Sequence, residues 1–308
     1  MIPFEYRTPK TLKEVHATLK EFGPDAKLIA GGTALVIMMK QRLVRPSCLV
    51  SLRSVRGLNG IEIKDGGLRI GGLATHRAVE TSSLVRRRLP LLAETFHHVA
   101  TIRVRNMATV GGGLAHADPN QDPPPTLIAL GATVKVTSAN GSRVIPLDEF
   151  FTDYYETVLN PDEIITEVFV PKLPANTGGA YLKFLPRTAD DYATVSAAAV
   201  LTLDKSKKTV GDVRIALGSV GITPIRATAA EAVLRGQPLK AEAFAEAAEK
   251  AKEAVDPVSD FRGSAGYKKE MAGVFVRRAL EKALANLRQQ AKAKPAPKAK
   301  TAKKRSRR

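Results

Sequence analysis

The pattern of apolar residues changes twice along this 308-residue chain, near residue 55 and near residue 178. The first stretch alternates short apolar runs with helical spacing, the second contains short runs between turn residues, and the third places strand patterns before helical ones. A length of this order allows two or three packed units, since a domain has about 100–200 residues. The pattern therefore predicts an α+β protein of three units.

The first unit, residues 1–55, has the pattern strand, helix, strand, helix, strand. Apolar residues at helical spacing over 12–22 predict its first helix, and Thr33 is the expected N-cap of a second helix, ALVIMMKQRL. These elements predict a small α/β unit.

The second unit, residues 56–175, is rich in strands, and Asp65-Gly66-Gly67 predicts a hairpin turn. Helical patterns lie in LVRRRLPLLAETFHHVA and TLIALGA. The third unit, residues 178–287, begins with strands such as AYLKFL and ends in two long helices. We expect this last unit to be an α+β domain.

The net charge of +18 is concentrated at the C-terminus. Residues 288–308 contain ten Lys or Arg and no acidic residue, which leaves +8 on residues 1–287. Because this segment has no apolar periodicity and contains two prolines, it predicts a disordered basic tail. A nucleic-acid or acidic-surface binder acting through the tail remains an alternative, although nucleic acid is the less favoured partner.

Composition narrows the class of protein further. We expect no membrane span and no export signal, because the chain has no apolar run of about 18 residues and no leader pattern at its N-terminus. Cys48 is the sole cysteine, so the chain forms no internal disulfide and supplies no thiolate cluster for a metal. His97 and His98 are adjacent and therefore lack the spacing of metal ligands. These features favour a cytoplasmic protein.

Two glycine-rich stretches are candidate binding segments. Ala30-Gly31-Gly32-Thr33 lies between an apolar run and a predicted helix, where backbone N–H groups can approach an anion. Thr109-Val110-Gly111-Gly112-Gly113 is the second stretch. Either one could be an ordinary turn, but together they could bind the pyrophosphate of a dinucleotide from two sides. The GxGxxG, GxxxxGK[ST], HExxH and GxSxG motifs are absent.

Four segments, in order, carry a resemblance to a known family: AGGTALVIMMKQRL, RVRNMATVGGGLAHADPNQDPPPTLIALGATV, DYYETVLNPDEIITEVFVP and YLKFLPRTADDYATVSAAA. They resemble the FAD-binding medium subunits of aerobic carbon monoxide dehydrogenases and of xanthine dehydrogenase-type molybdenum hydroxylases. The closing DFRGSAGYKKEMAGVFVRRAL is similar to the C-terminal helices of that family. The resemblance covers residues 1–287 and implies a two-part FAD-binding domain followed by an α+β domain.

The resemblance also implies a set of FAD-binding residues. Both glycine stretches would wrap the FAD pyrophosphate, Asp122 would contact the adenosine portion, and Lys183 would lie near the isoalloxazine ring. Tyr192 would pack on that ring and Ile165 would line it from below. The full set is Ala30, Gly31, Gly32, Thr33, Ala34, Thr109, Val110, Gly111, Gly112, Gly113, Asp122, Ile165, Lys183 and Tyr192.

The chain departs from the family pattern in two places. Relatives often have a polar pair where this chain has Thr33 and Ala34, and an asparagine where it has Gly113. Neither change removes a backbone amide, so we expect FAD binding to persist.

The resemblance implies a redox relay with no catalytic acid, base or metal ligand in this chain. A large partner subunit would carry molybdopterin, a small partner would carry two 2Fe-2S clusters, and FAD here would pass electrons to an external acceptor. We expect a heterotrimer that dimerises. A free-standing FAD-dependent oxidoreductase of related fold is the enzymatic alternative.

Overall fold

The computed structural model describes residues 2–185, 187–188 and 190–292. Over this range the chain forms sheets of three, five and four strands and a separate two-stranded hairpin. Helices pack on each of the three larger sheets, which confirms the predicted α+β fold. No helix in the described range has the length and apolar character needed to cross a bilayer.

The N-terminal unit contains a parallel three-stranded sheet. Its elements are β1 (Glu5–Arg7), α1 (Leu12–Phe22), β2 (Ala26–Ile29), α2 (Leu35–Lys40) and β3 (Cys48–Ser51). The strand order is β1-β3-β2, and the element order is the one that the sequence predicts. The side chain of Thr11 caps α1 by accepting a hydrogen bond from the N–H of Glu14, while Val15 and Leu19 bury one face of the helix.

The second unit surrounds an antiparallel five-stranded sheet. Its elements are β4 (Ile61–Lys64), β5 (Gly67–Gly71), α3 (His76–Thr81), α4 (Ser83–Arg88), α5 (Pro90–His97), α6 (Ile102–Met107), α7 (Val110–His116), α8 (Pro123–Ala129), β6 (Thr133–Ser138), β7 (Gly141–Pro146), β8 (Phe151–Asp153), β9 (Glu156–Thr157) and β10 (Ile164–Val170). The strand order is β4-β5-β10-β6-β7, and β8 pairs with β9. Asp65 and Gly66 both have positive φ between β4 and β5, which confirms the predicted hairpin.

Two local interpretations in this unit were wrong. The stretch LVRRRLPLLAETFHHVA forms two helices, because Leu89 leaves the helical conformation and Pro90 begins α5. The glycine-rich stretch after Thr109 is the helix α7, although the sequence pattern indicated a bend. Glycine disfavours helices by about 1 kcal/mol per residue, so local propensity gave no sign of α7.

The third unit is an antiparallel sheet followed by helices. Its elements are β11 (Thr177–Phe184), β12 (Val195–Leu203), β13 (Val210–Gly218), β14 (Ile225–Arg226), α9 (Thr228–Leu234), α10 (Ala241–Glu253) and α11 (Ala265–Lys292). Both faces of this sheet are buried. Ala197 and Ala199 pack with α10 and α11, whereas Ala198 and Val200 belong to the core of the second unit.

The predicted tail begins too early. Helix α11 continues to Lys292, so residues 288–292 are helical rather than disordered. No proline or glycine interrupts this stretch, and extending an existing helix by one turn requires no new nucleus. Residues 293–308, the rest of the predicted tail, lie outside the described residues.

Candidate functional site

The first glycine-rich segment is the turn between β2 and α2, and it is partly exposed. A Cβ on Gly31 would overlap the carbonyl oxygen of Met107, and Gly32 has a φ of +74°, so both positions require glycine. Within the described chain, the N–H groups of residues 31–34 donate to no backbone carbonyl. Consecutive free amides of this kind form an anion-binding nest.

Thr33 does not have the capping role that the sequence predicts. The N-cap of α2 is Ala34, and no side chain there makes a capping hydrogen bond. The side chain of Ala34 has no acceptor atom, so no side chain at the N-cap competes for the amides of the segment. The anion-binding capacity of this turn therefore lies in its main chain.

The second glycine-rich segment is the N-terminal turn of α7, and its amides are already engaged. The N–H of Val110 donates to Ala74 O at 2.9 Å and that of Gly111 to Gly72 O at 2.8 Å. The Thr109 hydroxyl caps the helix by accepting from the N–H of Gly112 at 3.1 Å. This finding corrects the expectation of a second amide nest: these glycines allow close packing, since a Cβ on Gly111 would lie 2.8 Å from Gly72 O.

The two segments nevertheless lie against each other, as the resemblance implied. Gly31 packs on the backbone of Met107 and Ala108, directly before α7. A Cβ on Gly112 would lie 3.7 Å from that of Ala30. One site is therefore formed by a turn with free amides and by the start of a helix that supports it.

A buried ion-pair network fixes α6, the helix that directly precedes α7. Glu80 accepts hydrogen bonds from Arg105 Nε at 2.9 Å, Arg77 Nη1 at 2.8 Å and His97 Nδ1 at 2.8 Å. Burial opposes ionisation of Glu80, but these three donors outweigh it and lower the pKa to about 2. Arg105 also donates to the carbonyls of Val99 and Ala100, so α3, α5 and α6 share one polar centre. The sequence offered no signal for this network.

Asp122 and Lys183 form a second buried ion pair. Lys183 Nζ lies 2.9 Å from Asp122 Oδ2 and also donates to His98 O at 3.1 Å. The Tyr181 hydroxyl donates to Asp122 Oδ1 at 2.5 Å. Burial and the charge of Asp122 raise the pKa of Tyr181 well above its ordinary value, so this hydroxyl remains a donor.

This pairing limits the roles that the resemblance assigns to the two residues. Asp122 was expected at the adenosine portion of FAD and Lys183 at the isoalloxazine ring, yet their charged atoms are in contact. The ribityl and pyrophosphate groups separate the two ends of an extended FAD. At most one of the two assignments therefore holds for an extended cofactor.

Ile165 and Tyr192 lie in contrasting surroundings. Ile165 is 7% exposed and packs in the main core, because β10 is the central strand of the five-stranded sheet. Its side chain is therefore largely covered by the protein, and its place below the isoalloxazine ring stays a prediction. Tyr192 is 44% exposed, and the guanidinium of Arg262 lies 5.8 Å from its ring centroid. Tyr192 is thus available to a planar ligand.

Three residues near the C-terminal end of α7 were not among the predicted site residues. The His116 ring lies 5.1 Å from that of Tyr155, which projects from the β8–β9 hairpin. Asp118, two residues after His116, is buried. The charge of Asp118, after burial, contributes to raising the pKa of both Tyr155 and Tyr192. This grouping joins residues that are far apart in the chain.

Comparison with known proteins decides the family. Residues 2–173 match the FAD binding domain in molybdopterin dehydrogenase, and residues 180–283 match the carbon monoxide dehydrogenase flavoprotein C-terminal domain. The chain belongs to this family. It is accordingly an FAD-containing oxidoreductase subunit, and neither a free-standing flavoprotein nor a nucleic-acid binder receives support.

Members of the family match along nearly their whole length. The carbon monoxide dehydrogenase medium chain of Hydrogenophaga pseudoflava is 40% identical over 287 residues, which is 92% of this chain and 99% of that one. The 6-hydroxypseudooxynicotine dehydrogenase complex subunit alpha of Paenarthrobacter nicotinovorans is 38% identical over 281 residues, 91% of this chain and 94% of that one.

A solved structure shows the same fold. Carbon monoxide dehydrogenase from Hydrogenophaga pseudoflava, in a form lacking the Mo-pyranopterin moiety, matches with a TM-score of 0.89 and 42% identity, covering 93% of this chain and 99% of that one. The arrangement of the units is therefore that of the family.

Proposed function

We propose that this chain passes electrons from 2Fe-2S clusters on a small partner subunit, through FAD, to an external acceptor. A large partner subunit with molybdopterin would oxidise the substrate. Relatives that are multi-subunit dehydrogenases support the existence of large and small partners. We propose the heterotrimer that dimerises as the assembly and the cytoplasm as its location.

The observation that carries the proposal is the free-amide turn at residues 31–34. Its N–H groups have no backbone acceptor in the described chain, and Gly31 fixes the turn against Met107. A pyrophosphate offers the anionic oxygens that such a turn binds. FAD bound there would supply the capacity to accept and release electrons.

The other residues have more limited proposed roles. We propose that Tyr192 packs on the flavin ring, because it is half-exposed beside Arg262. The segment from Thr109 to Gly113 supports the turn from below through its close packing on Gly72. The Asp122–Lys183 pair joins α8 to β11 and stabilises the wall between the second and third units.

Partner subunits are needed to hold the iron-sulfur clusters, because this chain has only one cysteine. Cys48 is its single cysteine and is buried, whereas a 2Fe-2S cluster of the common type binds four cysteine thiolates. Relatives named for carbon monoxide and for 6-hydroxypseudooxynicotine have nearly equal identity to this chain. We therefore place the choice of substrate in the large partner.

Purification of the full chain tests the flavin site. We expect an absorption spectrum of oxidised flavin that bleaches with dithionite, and two companion polypeptides when the chain is purified from its native source. Gly31→Ala would force Cβ into the Met107 carbonyl, so we expect at least about tenfold weaker FAD binding. Gly266→Ala is the matched control, because a Cβ at Gly266 meets no atom within 4 Å.

Two outcomes would contradict the proposal. If Gly31→Ala and Gly266→Ala bound FAD with the same dissociation constant, the turn would not be the pyrophosphate site. If the purified complex contained no iron-sulfur partner, the electron relay would be wrong even with FAD bound.

A further inference from the structure

Gln121 reaches back from the loop after α7 to the first half of that helix. Its Nε2 donates a hydrogen bond to the carbonyl oxygen of Gly113 at 2.9 Å. This bond fixes the orientation of the carboxamide, because turning the group over would place Oε1 against a second acceptor. The side chain of Gln121 therefore lies along α7 with a defined donor end and a defined acceptor end.

The acceptor end, Oε1, is free and reaches the surface of the protein. Across residues 2–185, 187–188 and 190–292, the only hydrogen bond of the Gln121 carboxamide is the one that Nε2 donates. Gln121 is half-buried, and its Oε1 is not one of the fully buried polar atoms that lack a partner. Oε1 can therefore accept a hydrogen bond from a bound molecule without breaking one inside the protein.

The Gln121 carboxamide occupies the space that a side chain at position 113 would enter. A Cβ on Gly113 would lie 3.0 Å from Gln121 Oε1 and 3.4 Å from His76 Nε2. Gly113 lies within α7 and its φ is not positive, so its backbone does not require glycine. The asparagine that relatives often have at this position would direct its own carboxamide into the same space.

This carboxamide lies beside the place where the two glycine-rich segments meet. Gly112, the residue before Gly113, packs against Ala30, and the free amides of residues 31–34 follow Ala30 directly. On either side of the FAD pyrophosphate, the next groups that can donate a hydrogen bond are hydroxyls, those of the ribityl chain and those of the ribose. Gln121 Oε1 is thus an acceptor next to the expected position of hydroxyl donors.

We propose that Gln121 positions FAD by accepting a hydrogen bond on Oε1 from one of these hydroxyls, and that its carboxamide takes the place of the asparagine side chain at position 113 of relatives. The inference rests on the proposed flavin site and adds to it a residue that the family resemblance did not select. Gln121 is a positioning residue, since it binds a part of FAD that does not accept electrons.

Equilibrium titration of the full chain with FAD, followed by flavin fluorescence, tests the contact. We expect about fivefold weaker binding for Gln121→Ala, as for the loss of one uncharged hydrogen bond. Gln237→Ala is the matched control, because Gln237 is exposed and lies in the turn between α9 and α10.

A second substitution separates the contact from a loss of packing. Gly113→Asn alone should also weaken FAD binding, because its Cβ would lie 3.0 Å from Gln121 Oε1 and displace the carboxamide. In the Gln121→Ala background the same substitution meets no carboxamide, and the asparagine side chain can enter the vacated space. We therefore expect the double variant to bind FAD within about twofold of wild type, whereas two independent structural defects would add.

Ligand analogues identify the hydroxyl with the wild-type protein. If a ribityl hydroxyl donates, an FAD analogue lacking that hydroxyl binds wild type more weakly than FAD but binds Gln121→Ala as tightly as FAD does. If a ribose hydroxyl donates, an ADP analogue lacking that hydroxyl shows the same pattern relative to ADP. Since wild type itself is compared with two ligands, a poorly folded variant does not prevent the test.

The proposal is overturned if Gln121→Ala binds FAD as tightly as Gln237→Ala, or if the double variant binds FAD no better than Gln121→Ala. It is also overturned if wild type binds every analogue that lacks a hydroxyl as tightly as the parent ligand. Failure of wild type to bind FAD at all would instead contradict the proposed function. The two failures are therefore distinguishable.

Discussion

The two glycine-rich segments have similar composition and opposite uses of their backbone. At residues 31–34 the amides have no backbone acceptor in the described chain, whereas the N–H groups of Val110 to Gly113 all donate within the protein. Glycine in the first segment exposes main chain to a ligand; glycine in the second lets α7 approach Gly72. A run of glycines therefore indicates that another group lies close to the backbone. Only the hydrogen bonds of its amides show whether that group is a ligand or another part of the protein.

The largest expected effect comes from removing the support of the second segment. Arg105→Met leaves Glu80 buried without its Arg105 partner, so we expect about 3–5 kcal/mol loss of unfolding free energy. FAD affinity should fall as well, because Met107 in α6 is the surface on which Gly31 packs. Chemical denaturation and FAD titration measure the two effects.

Arg103→Met is the matched control, since Arg103 is exposed on the same helix. Equal stability of the two variants would show that the Glu80 network does not hold this segment.

Acid should weaken the same ion-pair network by protonating Glu80. Its pKa is about 2 in the fold against an ordinary 4.5, so its contribution is complete above about pH 4.5 and decreases as the pH falls toward 2. The full shift corresponds to about 3 kcal/mol. Denaturation of wild type between pH 6 and about pH 3 should therefore show a steeper loss than that of Glu80→Gln. Parallel pH profiles would refute this assignment.

A pair of threonine variants compares the segments directly. Thr109→Val removes the acceptor for the N–H of Gly112 and should cost about 1 kcal/mol of stability. Thr33→Val removes no capping bond and should change stability by less than about 0.5 kcal/mol. Thermal unfolding of both proteins measures the difference. A larger loss for Thr33→Val would reverse the roles given to the segments.

The smallest effect is expected from the C-terminus. Deletion of residues 293–308 removes basic charge distant in sequence from both segments, and we expect FAD affinity within about twofold of wild type. The cut follows Lys292 so that α11 remains intact. A marked loss of FAD binding would assign the tail to the site.

Local chemistry explains what the sequence could predict. The Asp65-Gly66 turn and the capped helix α1 depend on neighbouring residues, and both form as expected. The apposition of the glycine segments came from the family resemblance. Helix α7 was missed because its glycines disfavour a helix that tertiary contacts impose.

Long-range pairing explains what the sequence could not show. Asp122 and Lys183 are 61 positions apart, and no local pattern indicates that they form a buried ion pair. The resemblance placed Ile165 below the isoalloxazine ring, whereas β10 is covered on both faces. Asp118 has no distinguishing pattern in the sequence, and its burial follows from the fold.

The sheet of the third unit has a consequence for how the molecule can be divided. Tyr181, Ala198, Val200 and Ala216 contribute side chains to the hydrophobic interior that surrounds α5 and α8. A fragment ending near residue 175 would present that interior to water, and its exposed apolar area would promote aggregation. The flavin half and the C-terminal half should consequently melt in one cooperative transition.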